Sequence, residues 1–80
     1  MQIISSTRKV YVSPSDVQAF NTYWPYSTLR CTRGYWFEFA SNGDLVDTDV
    51  PEQDDGAAAV AMADDCKNYL ETGVTPDWAW

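Results

Sequence analysis

Residues 35–50, Tyr35-Trp36-Phe37-Glu38-Phe39-Ala40-Ser41-Asn42-Gly43-Asp44-Leu45-Val46-Asp47-Thr48-Asp49-Val50, decide how the fold is read. The first five alternate: Tyr35, Phe37 and Phe39 share one face of an extended chain, and Trp36 and Glu38 share the other. Asn42-Gly43 is the strongest turn signal in the sequence, because both residues tolerate the positive φ angles of a type I′ hairpin turn. After the turn, Val46, Thr48 and Val50 fall on one face of a returning strand that Pro51 ends. Residues 35–40 and 44–49 are therefore predicted to form a hairpin.

Working backwards, Ser27 to Thr32 is compatible with a third strand carrying Leu29 and Cys31 on one face, joined to the hairpin through Arg33-Gly34. Lys9-Val10-Tyr11-Val12 is β-branched and aromatic, as strands are. Ser13-Pro14-Ser15-Asp16 reads as a helix start: Ser13 caps, Pro14 takes the first helical position, and Asp16 completes a short capping box. Val17, Phe20 and Trp24 then recur at helical spacing until Pro25 stops the helix. Working forwards, Asp54-Asp55-Gly56 opens a long helix with carboxylates at its positive end. Ala59, Met62, Ala63, Cys66, Tyr69 and Leu70 form its apolar stripe, and Gly73 and Pro76 close it. The alanines of residues 57–61 imply close approach to another element.

The expected architecture is α+β: a three- or four-stranded antiparallel sheet in the order β-α-β-β-β-α, with helices 14–23 and 56–71 packed on one face. The predicted core is Val10, Val12, Val17, Phe20, Leu29, Cys31, Phe37, Phe39, Val46, Met62, Cys66, Tyr69 and Leu70. Eighty residues fit a single domain, 1–80.

Composition narrows the function. Twelve acidic against five basic residues give a net charge of −7, which argues against direct contact with nucleic acid or an anionic membrane. Residues 1–40 carry +2 and residues 41–80 carry −9, so the charge is polarised along the chain. No apolar run approaches the ~20 residues of a membrane span, and no signal peptide is visible ahead of Arg8 and Lys9. With only Cys31 and Cys66, the expectation is a cytoplasmic protein whose thiols are reduced and buried, a single disulfide requiring the two to face each other.

No histidine is present, no Gly-rich phosphate loop occurs, and the chain offers little room for a water-excluding pocket, so no catalytic residues and no cofactor are expected. Asp47-Thr48-Asp49 resembles a cation ligand pair, but the pattern of an EF-hand loop fails around Asn42-Gly43, and no metal is expected.

Two features remain. Asp44, Asp47, Asp49, Glu52, Asp54 and Asp55 put six carboxylates within twelve residues, and Asp64 and Asp65 add two on the following helix. Carboxylates along a strand, loop and helix can imitate the phosphates of a duplex, one per ~1.7 Å of axis, although Asp also serves turns, helix starts and solubility. The aromatics are also abundant: Trp24, Trp36, Trp78 and Trp80 with five tyrosines. They can anchor a protein interface or fill a small core. Trp36, opposite the Tyr35, Phe37 and Phe39 face, is the candidate anchor.

In size, in the acid cluster from Asp44 to Asp55 with Asp64 and Asp65, and in a lone meander-plus-helix domain, the chain resembles small acidic phage and mobile-element inhibitors: DNA-mimic anti-restriction and anti-CRISPR proteins. The resemblance covers overall character and no matched segment. It implies a non-enzymatic inhibitor that binds a nucleic-acid-handling complex, such as a CRISPR effector or a restriction enzyme. Asp47, Asp49, Glu52, Asp54, Asp55, Asp64 and Asp65 would steer it to a basic surface, with Trp36 as the desolvated anchor. The competing expectation is a structural or assembly module that self-associates through aromatics, the chain being a monomer or a homodimer.

Overall fold

The computed structural model describes residues 2–4, 8–25, 27, 29–30, 33–51, 54 and 56–79, residues 2–4 by their backbone. The elements are β1 (Gln2–Ile4), β2 (Lys9–Val12), α1 (Pro14–Tyr23), β3 (Tyr35–Phe39), β4 (Leu45–Thr48) and α2 (Ala57–Thr72). The strands form one antiparallel sheet in the order β1-β2-β3-β4. This is an α+β fold.

Alternation builds the sheet as the sequence indicates. Val10 and Val12 of β2 pair with Phe37 and Tyr35 of β3, and all four side chains are buried together with Phe39. Lys9 and Tyr11 pair with Glu38 and Trp36 on the opposite, half-buried face. Apolar contributions from both helices join the inner set in a single cluster: Val17 and Phe20 from α1, and Ala59, Met62, Ala63 and Cys66 from α2. Tyr69 and Leu70 pack against that cluster from its edge. Cys66 is a free, buried thiol, and Cys31, assigned to the core from the sequence, lies outside the described residues.

Both helices start and stop for local reasons. Ser13 accepts a hydrogen bond from the Asp16 amide at 3.3 Å, with Pro14 at the first helical position of α1. Asp54 lies in a short turn ahead of α2, and Gly56 is the N-cap without a side-chain hydrogen bond. The first turn of α2 carries no acid; Asp54 stands ahead of it, as the sequence places it, and Asp55 lies outside the described residues. Gly73 ends the helix at φ +74° and donates its amide to the Tyr69 carbonyl, a left-handed cap that glycine adopts without a Cβ clash.

Three sequence expectations are corrected. The first is the strand over residues 27–32: among its described residues, Ser27, Leu29 and Arg30 belong to no strand. Their polar groups are met by side chains instead of a neighbouring strand. Asn21 Nδ2 donates to the Leu29 carbonyl at 2.7 Å, the Arg30 amide donates to the Tyr35 hydroxyl at 3.2 Å, and the Ser27 hydroxyl bonds Asn21 Oδ1. The strand order therefore begins with two strands ahead of α1 and leaves none of the described residues between α1 and β3 in the sheet.

The second correction is the hairpin. Gly43 has φ +92°, but Asn42 is not in the positive-φ region, so the turn is not type I′. The Gly43 amide bonds the Ala40 carbonyl at 2.9 Å and the Ala40 amide bonds the Asp44 carbonyl at 2.8 Å. That is a three-residue loop with a left-handed glycine, the next most favourable hairpin after two-residue turns. Asn42 serves it with its side chain, accepting the Asp44 amide at 3.0 Å.

The third follows from a register shift between Glu38 and Phe39: Phe37 faces Thr48 and Glu38 faces Asp47, while Phe39 faces Leu45. Val46 is the additional residue, 56% exposed rather than part of the core.

Candidate functional site

The acids named from the sequence divide by what holds them. Asp49 follows β4 and is half-buried. Its Oδ1 accepts the Trp36 amide at 2.8 Å, and its Oδ2 lies 3.4 Å from Arg33 Nη2. Thr48 Oγ1 donates to the Trp36 carbonyl at 2.8 Å, so side chains finish the β3–β4 ladder where the strand stops. Asp54 Oδ2 is buried, makes no hydrogen bond, and sits 3.8 Å from Arg30 Nε. Asp65 Oδ2 accepts the Trp78 indole N–H at 2.8 Å. Asp49 and Asp65 are tied into the fold by hydrogen bonds, and Asp54 is turned inward beside Arg30. They are not the free steering charges expected of them.

Asp47 and Asp64 are exposed. Asp47 stands beside Glu38 across the β3–β4 pairing, a like-charge contact that Lys9, 4.0 Å from Glu38 on the far side, moderates. Glu52 and Asp55 lie outside the described residues. Asp44 of the acid cluster is exposed in the hairpin turn, and two exposed acids lie outside that cluster: Glu71 near the end of α2 and Asp77 beyond it. Asp64 and Glu71 are seven residues apart, two turns along one face of α2. The Glu71 carboxylate lies beside Gly43, where a Cβ would meet its Oε1 at 2.8 Å, so the hairpin turn adjoins that helix face.

The cations of the N-terminal half are all engaged. Arg8, at φ +51°, donates Nε to the Phe39 and Ala40 carbonyls at 3.2 and 3.1 Å. Lys9 pairs with Glu38 and sits 4.3 Å above the Trp36 ring. Arg30 and Arg33 pair with Asp54 and Asp49. Trp36 is therefore half-covered by Lys9 and is not a bare anchor.

Trp78, which the sequence left between fraying and docking, is buried against Phe20, edge to face at 5.1 Å. Trp80 lies outside the described residues. Among the described residues, the exposed aromatics are Tyr23 and Trp24 at the end of α1, Trp24 stacked on Phe20 with ring centres 6.2 Å apart.

Two groups have shifted ionisation. Burial pushes the Cys66 thiol up, the negative charge of Asp65 adding to it, so it stays protonated and unreactive at neutral pH. Burial also raises the Tyr35 hydroxyl, against the opposing effect of its hydrogen bond from the Arg30 amide. Among the described residues, no three His, Cys, Asp or Glu side chains gather as metal ligands, and no helix is long and apolar enough to cross a membrane. Comparison with family models, curated proteins and solved structures gives no match for this chain.

Proposed function

We propose that the chain is a non-enzymatic inhibitor that binds the basic surface of a nucleic-acid-handling protein through an acidic face. One observation carries this reading. Arg8, Lys9, Arg30 and Arg33 are each engaged within the fold, while Asp44, Asp47, Asp64, Glu71 and Asp77 are exposed and outside the ion pairs among the described residues. Five negative charges thus stand on side chains that reach solvent, with Lys67 beside Glu71 at Gly43. A basic groove would be attracted to them at long range, with association accelerated at low salt. The exposed acids are fewer than the sequence implied, since Asp49, Asp54 and Asp65 are committed internally, and Asp47, paired with Glu38, lies on the sheet side away from α2. The shared buried cluster supports both helices lying on the inner face of the sheet, which leaves Trp36, Lys9 and Glu38 on the other.

The test is capture from a nuclease-treated bacterial lysate on the immobilised protein, beside a variant carrying Asp44→Lys, Asp47→Lys, Asp64→Lys and Glu71→Lys with its circular dichroism unchanged. The reading expects nucleic-acid-binding proteins on the wild type, displaced by added duplex DNA and lost on the variant. Proteins held equally by both, and indifferent to DNA, overturn it.

Self-association remains a second reading, because Tyr23 is 55% exposed beside Trp24 and Val74 is also exposed. A salt-insensitive dimer in light scattering, lost on Trp24→Ala, would favour it over the inhibitor.

A further inference from the structure

A cleft of about 320 Å³ opens where the end of α1, the second half of α2 and residues 74–78 meet. Its lining includes Tyr23, Trp78, Asp65, Asn68 and Asp77, and none of the lining residues is basic. Three properties coincide there. Tyr23 supplies exposed aromatic surface, while Trp78 lines the cleft from an almost wholly buried position, packed against Phe20. Asp65 is immobilised because its Oδ2 takes the Trp78 indole N–H, which leaves Oδ1 to accept from a ligand. Asp77 adds an exposed carboxylate, and Asn68 a side-chain amide.

A concave site with an exposed tyrosine ring beside carboxylates selects a cation. It repels phosphate and carboxylate ligands. Between the two cationic side chains, the planar guanidinium suits it better: it stacks on a ring while donating in parallel to a carboxylate, whereas an ammonium keeps its hydration and has no flat face. We propose that this cleft receives an arginine side chain of the partner protein. The inference rests on the reading that the partner presents a basic surface, and it names one contact of that surface.

The test is a titration followed by two-dimensional ¹H–¹⁵N NMR, reading the Trp78 indole N–H, which reports directly on Asp65. The probe is the blocked tripeptide acetyl-Gly-Arg-Gly-amide. Peptides with citrulline, the neutral isostere, or lysine in place of arginine are the comparisons, along with free arginine. The arginine peptide should move the Trp78 signal saturably and the lysine peptide more weakly, with the citrulline peptide leaving it in place. Asp77→Asn and Tyr23→Ala, both at exposed side chains, should each weaken the arginine peptide by ~tenfold, the equivalent of one lost interaction of about 1.4 kcal/mol. Equal shifts from citrulline, or binding unmoved by either substitution, overturn the proposal. Free arginine binding as tightly as the peptide overturns it in favour of a small-molecule site. The charge-reversed variant above keeps every residue named here, so a failure of protein capture and a failure of this cleft are read separately.

Discussion

Replacing Asp49 tests whether an acid in the middle of the cluster serves the fold or a partner. Asp49→Ala removes the acceptor for the Trp36 amide at 2.8 Å and the 3.4 Å pairing with Arg33. The hydrogen bond to a charged acceptor is worth ~1.5–3 kcal/mol, since the half-buried amide is left without its partner. The exposed arginine adds at most ~0.5 kcal/mol. The expected loss is about 2 kcal/mol, a large part of the ~4–12 kcal/mol available to a domain of this size. Asp49→Asn keeps an oxygen in place and should lose only about 1 kcal/mol, the difference between a charged and a neutral acceptor. Asp47→Ala, two residues earlier, gives up one local hydrogen bond to the Thr48 amide and relieves the contact with Glu38, so its change should stay within ~0.5 kcal/mol. Urea denaturation followed by tryptophan fluorescence resolves these steps. With a slope near 1 kcal/mol/M, Asp49→Ala moves the midpoint down by ~2 M, Asp49→Asn by ~1 M and Asp47→Ala hardly at all. Equal midpoints for the two alanine variants would refute the division of the acids into internal and exposed sets.

Two further outcomes follow from the packing and the buried thiol. Gly34→Ala would drive a Cβ into the Val12 carbonyl and the Tyr11 hydroxyl, and should cost roughly 1–3 kcal/mol in the same denaturation assay even though no unusual φ is involved. For Cys66, the folded ionisation is pushed above the unfolded one, so its contribution is present in full below the unfolded value of ~8.5 and is lost as pH rises from there toward the raised folded value, at up to ~1.4 kcal/mol per pH unit. Tyr35 acts in the same direction from ~10 upward. Urea midpoints at pH 7.5 and 9.5 should therefore fall in the wild type and fall less in Cys66→Ala; identical slopes would contradict the burial argument.

Periodicity made much of this fold legible. The alternation through Tyr35, Phe37 and Phe39 and the stripe through Ala59, Met62, Ala63 and Cys66 each meet the rest of the core as their spacing requires. The misread segments are those where side chains replace the ladder. Leu29 and Arg30 look like strand residues, but Asn21 and the Tyr35 hydroxyl satisfy their backbone, and no local pattern announces a partner eight residues away. Val46 was misplaced because an inserted residue inverts the alternation at that point without altering composition. For the acids, counting charges revealed the excess but not its placement. Which carboxylates turn inward depends on where Arg30, Arg33 and Trp78 arrive from distant parts of the chain. Tyr23 and Asp77 belong to the same class: neither stands out until the two helix ends and the segment after α2 converge.

Trp78 also imposes an order on events in the cell. It fills the place over Phe20, a residue made 58 positions earlier, and it satisfies Asp65. Until it clears the ribosomal tunnel, that ring has Trp24 beside it but not its edge-to-face partner, and that carboxylate has no indole donor. The nascent sheet and first helix must therefore wait, partly assembled and open to chaperones and proteases, for a side chain that is synthesised late.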